Sequence, residues 1–215
     1  MDPKNGWVHY QAGEIHLDRG ALERASEHFR QALAIDPKVA AARVALGAMA
    51  ITRGDPAAAE REIRAALASN PEVRLAHFNL GVLAESQGDA DGALAAYRRE
   101  FEQHDDAYKA VFNAARLLQQ RQSPEARALF ERAVALNARF AEGHFYLAQA
   151  KLAAGDVAGA AASARSGLAL DRTSATAPLG HFVLAEVAVR GGRLDEAARE
   201  LEAGKALEQR TRLRQ

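Results

Sequence analysis

Apolar residues recur along this chain at helical rather than strand spacing, and the same short arrangement returns about every 34 residues. One segment of each unit carries a small residue, Gly13, Gly47, Gly81, Ala115, Ala148 or Ala185, directly after Ala12, Leu46, Leu80, Ala114, Leu147 or Leu184. A small side chain there allows two helices to approach closely, and the leucine fills the space beside it. The next segment carries Ala25, Ala59, Ala93, Ala126, Ala160 or Ala197, followed four places later by Phe29, Ile63, Tyr97, Phe130, Ala164 or Leu201. Residues four apart share one helix face, so each unit predicts two amphipathic helices packed on one another.

Glycine punctuates the pairs. Gly20, Gly54, Gly88, Gly155 and Gly192 fall between the two segments, and Gly54-Asp55-Pro56, Gly88-Asp89 and Gly155-Asp156 supply a positive-φ residue and then an N-cap. Units close with Asp36-Pro37, Asn70-Pro71 or Asp171-Arg172, signals that stop one helix and start the next. Aligned on the glycines, the chain divides into units 6–39, 40–73, 74–107, 108–140, 141–174 and 178–211, with three extra residues before the last. Unit four has Gln120-Arg121-Gln122-Ser123-Pro124 in place of its glycine turn. These two irregularities predict local changes in twist. A fixed period in the thirties marks a stacked array whose product is an extended surface.

The small-after-leucine step, the Ala-x-x-x-Phe step and the closing proline resemble the tetratricopeptide repeat over nearly the whole chain. The resemblance implies an all-α, right-handed α-solenoid of six helix-turn-helix units, with the first helices lining a concave groove. The last helix, from about Leu194 to Gln209, carries Asp195, Glu196, Arg199, Glu200, Glu202, Lys205 and Glu208 and is expected to serve as its own cap. The chain departs from the family pattern in two ways. The tryptophan of the first helix is replaced by His9, Arg43, His77, Val111, His144 and His181, and the closing proline is lost from unit three onward.

The resemblance also marks the fifth place of each first helix as groove-facing. It reads Tyr10, Val44, Phe78, Phe112, Phe145 and Phe182, a ladder of rings suited to anchoring a bound segment or to packing on the next unit. Beside it lie Asn79, Asn113 and Tyr146, and one turn on Glu14, Arg116, Gln149 and Glu186, groups able to hold the backbone of a peptide. The stretch from Phe112 to Phe182 lies between the two irregularities and is expected to hold the most distinctive part of the groove. The two-carboxylate clamp of chaperone-binding relatives is not matched, since its places hold Tyr10, Glu14, Ala45, Leu75 and Asn79.

Composition narrows the functional classes. With no cysteine there is no disulfide frame, thiol nucleophile or zinc-finger pattern. Lysine plus arginine balance aspartate plus glutamate at 28 each, so no broad field draws the chain to nucleic acid or membrane. No apolar run approaches the roughly 18 residues of a membrane span, and the opening Met1–Gly6 lacks a signal-peptide core, which leaves a cytoplasmic or periplasmic location open. The histidines at the shared place lie in separate units, roughly 10 Å or more apart, too far to share a metal. His9 and His16 are two turns apart on one helix. No phosphate loop, Gly-x-Ser-x-Gly or His-Glu-x-x-His occurs. The basic tail, with Lys205, Arg210, Arg212 and Arg214, reads as a solvated chain end.

The leading expectation is therefore a non-catalytic protein-interaction module or scaffold without cofactor or metal, holding a peptide or helix of another protein in its groove. A second class is an accessory segment of a larger exported bacterial enzyme. Arg74–Leu80, Phe140–Ala148 and Ala177–His181 look similar to repeats that follow the catalytic domain in some sulfatase-like proteins. A third is self-assembly, suggested by Trp7 on the first helix.

Overall fold

The structure, a computed structural model, describes residues 5–213; Met1–Lys4, and Arg214 and Gln215 of the basic tail, lie outside it. Among the described residues there are twelve helices and no strand. They run in six pairs: α1 (Gly6–Asp18) with α2 (Leu22–Ile35), α3 (Ala40–Thr52) with α4 (Pro56–Ser69), and α5 (Ala76–Ser86) with α6 (Ala90–Gln103). Then come α7 (Tyr108–Gln120) with α8 (Glu125–Leu136), α9 (Ala141–Ala153) with α10 (Val157–Leu170), and α11 (Ala177–Arg190) with α12 (Leu194–Arg212). The chain forms two compact units, one ending at Asp105 with α1–α6, the other beginning at Asp106 with α7–α12. The last helix continues three residues past Gln209.

The first three pairs close through the interlock that the spacing predicts. A Cβ added at Gly13 would stand 2.4 Å from the Phe29 ring, one at Gly47 2.5 Å from Ile63, and one at Gly81 2.5 Å from Tyr97. The bulky residue of the second helix thus occupies the volume that the small residue of the first leaves free. Phe29, Ile63 and Tyr97 are wholly buried as a result. In the fifth pair the bulk comes from the opposite side. Ala164 stands at the second-helix place, and the Phe145 ring of α9 fills the gap, 2.5 Å from where a Cβ on Gly167 would lie and 2.7 Å from one on Gly180. Phe182 sits over Gly204 in the sixth pair in the same sense, at 2.4 Å.

The turns follow the local chemistry. All five ladder glycines adopt positive φ, between 70° and 82°, with open space around them. In the fourth pair Gln122 takes that role at φ 55°, a conformation that costs a side-chain-bearing residue about 1–2 kcal/mol. Asp55, Asp89 and Asp156 accept from the backbone N–H of Ala58, Gly92 and Gly159 at 2.8–2.9 Å, capping α4, α6 and α10. Where one pair ends, Asp36, Asn70, Asn137 and Asp171 each fold a side-chain oxygen back onto the amide two residues on. Asp171 also binds the Ser174 amide. These bonds, that of Thr173 first, hold its carboxyl below the ordinary aspartate range.

The third pair is anchored differently. Glu100 of α6 is 1% exposed, and its carboxylate accepts from the backbone N–H of Leu75 at 2.7 Å and of Phe78 at 3.1 Å. Both amides belong to the open N-terminus of α5, where a negative charge is favoured. Leu75 adopts φ 66° there, and its carbonyl accepts from the Asn79 side-chain amide at 2.8 Å.

Candidate functional site: an open groove in the first unit

In the first unit, the first helices and the α4–α5 link enclose a cavity of about 540 Å³. Its wall is built by Trp7, Tyr10, Glu14 and Leu17 of α1, by Val44, Ala45 and Ala48 of α3, by Asn70, Val73, Arg74 and Leu75 of the link, and by Asn79 of α5. Small residues on α3 make the floor shallow, and bulkier ones make the sides. Trp7 is 53% exposed and Leu75 50%, large apolar groups placed at the mouth of the cavity. The left-handed backbone at Leu75, held by Glu100 behind it, keeps that side chain at the rim.

Tyr10 is half-buried, with its ring 5.3 Å from Trp7 in edge-to-face contact and 5.8 Å from Phe29. Burial first, then the charge of Glu14 and a hydrogen bond to it, push its hydroxyl up to about 12. The Glu14 carboxyl is itself raised, chiefly by burial and further by Asp18, while the Tyr10 hydroxyl pulls it down. Phe78 is partly buried and leans on Tyr97, centroids 5.7 Å apart. Asn79 is buried, and its amide is engaged with the Leu75 carbonyl, so it stiffens the wall as well as lining it.

The second unit places the predicted ladder otherwise. Phe112 is 4% exposed, boxed by Phe130, Phe140 and Tyr146 at 4.9–5.7 Å, and Phe145 is fully buried over Gly167 and Gly180. Neither ring presents a face to solvent, because the neighbouring glycines and aromatics give each more contact inside than a groove would. Phe182 remains partly exposed and lines a shallow cavity of about 320 Å³ with Gln149, Leu152, Glu186 and Arg190. Glu186 accepts from Arg190 at 2.9 Å. Asn113 and Arg116 are partly buried on α7. The charge of Arg116 acts on Glu142 and Tyr146, whose pKa values are nonetheless raised, both mainly by burial.

Three residues of the tryptophan slot reach across to the second helix of their pair, whereas His144 Nε2 lies 3.0 Å from the Ala138 carbonyl. His9 Nδ1 lies 3.4 Å from His28 Nδ1, Arg43 donates to Glu62 at 3.2 Å, and His181 Nδ1 lies 2.7 Å from Glu200, each pair nineteen residues apart. His16 stacks on His28 at 5.1 Å, so three imidazoles gather in the first pair although His9 and His16 lie two turns apart. The recurring separation of nineteen is visible in the sequence and marks these pairs. Among the described residues no three His, Asp or Glu side chains are placed to hold a metal ion, and no helix is long and apolar enough to cross a membrane.

Several solved structures share this architecture. That of PilF from Pseudomonas aeruginosa superposes with a TM-score of 0.80 at 21% identity, covering 98% of this chain and 97% of that one. PilW, described as a type IV pilus biogenesis factor, gives 0.71 at 19% identity over 91% of this chain and 90% of PilW. The Cut9–Hcn1 hetero-tetramer of the APC/C gives 0.76 at 16% identity, over 96% of this chain but 41% of its counterpart. No curated protein matches the sequence. Family models described as tetratricopeptide repeat match residues 6–39, 45–108, 113–178 and 178–203. With the interlocked small and bulky residues, the positive-φ turns and these matches over most of its length, the chain belongs to the tetratricopeptide-repeat family.

Proposed function

We propose that this chain is a non-catalytic protein-interaction module and that its principal binding surface is the groove of the first unit. The observation that carries this reading is the cavity of about 540 Å³, lined mostly by apolar side chains, with Trp7 and Leu75 half-exposed at its mouth. Apolar anchors beside a few fixed polar groups are what a bound segment needs for affinity and register. Tyr10 and Asn79 belong to that surface, and Phe78 backs it. In the second unit, Gln149, Phe182 and Glu186 line a smaller and more open surface for secondary contacts, which Asn113, Arg116 and Tyr146 extend. Phe112 and Phe145 act there as core. Cut9 was solved as an assembly with Hcn1, and the shared fold is compatible with such a role.

The test is site-specific photocrosslinking in the intact chain. A photoreactive residue at Ala48, on the groove floor, is expected to capture the same partner band in lysate of the source organism that purified chain retains. The same residue at Ala57, exposed on α4, is expected to capture none of it. Capture from Ala57 alone, or equally from both positions, contradicts the groove assignment.

A further inference from the structure

The first-unit groove holds a carboxylate that its own residues leave without a counter-charge. Glu14 lies half-buried on the cavity wall; the groups that act on its carboxyl are the Tyr10 hydroxyl and the like charge of Asp18, with no cation among them. Among the described residues of the wall the other carboxylate is Glu72 and the one cation is Arg74 at the link, a net negative set although the whole chain is formally neutral. A carboxylate taken partly out of water is best compensated by a cation that reaches it. Trp7 stands beside Tyr10 at 85° and is 53% exposed, two turns from Glu14 on the same helix, so an apolar residue flanking the arriving cation can cover the indole.

Resting on the groove reading above, we infer that the first unit recognises a segment of another protein in which apolar residues flank an arginine. Its guanidinium pairs with Glu14, while the flanking side chains cover Trp7, Val44, Val73 and Leu75. Arginine fits better than lysine because its planar fork matches a carboxylate and is less strongly hydrated.

Trp7 is the only tryptophan of the chain, so intrinsic fluorescence of the intact protein reads this groove directly. The probes are three pools of capped heptapeptides with mixed apolar flanks and a central arginine, citrulline or glutamate. The arginine pool is expected to shift the emission saturably and to bind about tenfold or more tighter than the citrulline pool, with the glutamate pool weakest. Glu14→Gln, with its circular dichroism unchanged, is expected to bring the arginine and citrulline pools together by weakening the former. Should that variant not fold, the arginine-to-citrulline ratio on the unaltered protein decides alone. Equal binding of these two pools overturns the arginine assignment and leaves the groove reading standing. No binding by any pool overturns both. A fluorescence shift that tracks protein concentration without peptide, with doubled mass in sedimentation, identifies a second copy as the occupant and overturns the inference.

Discussion

The residue that most shapes the site does not touch it. Glu100 holds two amides at the start of α5 and thereby fixes the strained Leu75 on the groove rim. Hydrogen bonds to a buried charge contribute about 1.5–3 kcal/mol each, so Glu100→Ala, which removes two, is expected to lower stability in urea by roughly 3–6 kcal/mol. Leu75→Gly relieves the left-handed backbone and is expected to recover about 1 kcal/mol while weakening partner binding. Beside Glu100, His77 is buried, and desolvation lowers its pKa below 6.5; Arg99 and His104 act in the same direction, and Glu100 opposes them. The unfolded chain then takes up a proton before the folded one does. Stability from this site is present above 6.5 and is lost as pH falls through and below it. A denaturation series across that range should show the slope, and His77→Phe should flatten it. The Glu100 anchor does not show in the repeat pattern, since it joins residues that share no repeat position and are brought together by folding.

At the scale of the element, the sequence specifies most of what the structure contains. Helix pairing, turn glycines and aspartate caps are all local signals, and each lies where the pattern puts it. The ladder is less legible, because whether a ring faces outward depends on the size of residues far away in sequence. Phe145 turns inward since Ala164, Gly167 and Gly180 leave it room, whereas Tyr10 meets a full-sized Phe29 and stays at the surface. Phe145→Ala should therefore cost about 3–5 kcal/mol, as expected for emptying a core site, measured by thermal and urea unfolding. Gly81→Ala should cost about 1–3 kcal/mol, since its Cβ would meet the Tyr97 ring at 2.5 Å. Ala57→Gly at an exposed α4 position should cost at most about 1 kcal/mol, the difference in helix propensity alone, which separates packing from propensity.

For the whole molecule, a formally neutral chain of paired helices offers extended surface, and the larger of the two open apolar surfaces described above lies in the first unit, with that around Phe182 smaller. Without a broad field, electrostatic attraction is confined to the negative groove wall, so the association rate should fall only modestly with ionic strength. Hydrogen exchange on the intact chain, free and with its captured partner, tests the central claim most directly. The account predicts added protection in α1, α3 and residues 70–79, with α2 and α4 unchanged. Protection confined to α2 and α4, or to the second unit alone, would contradict it.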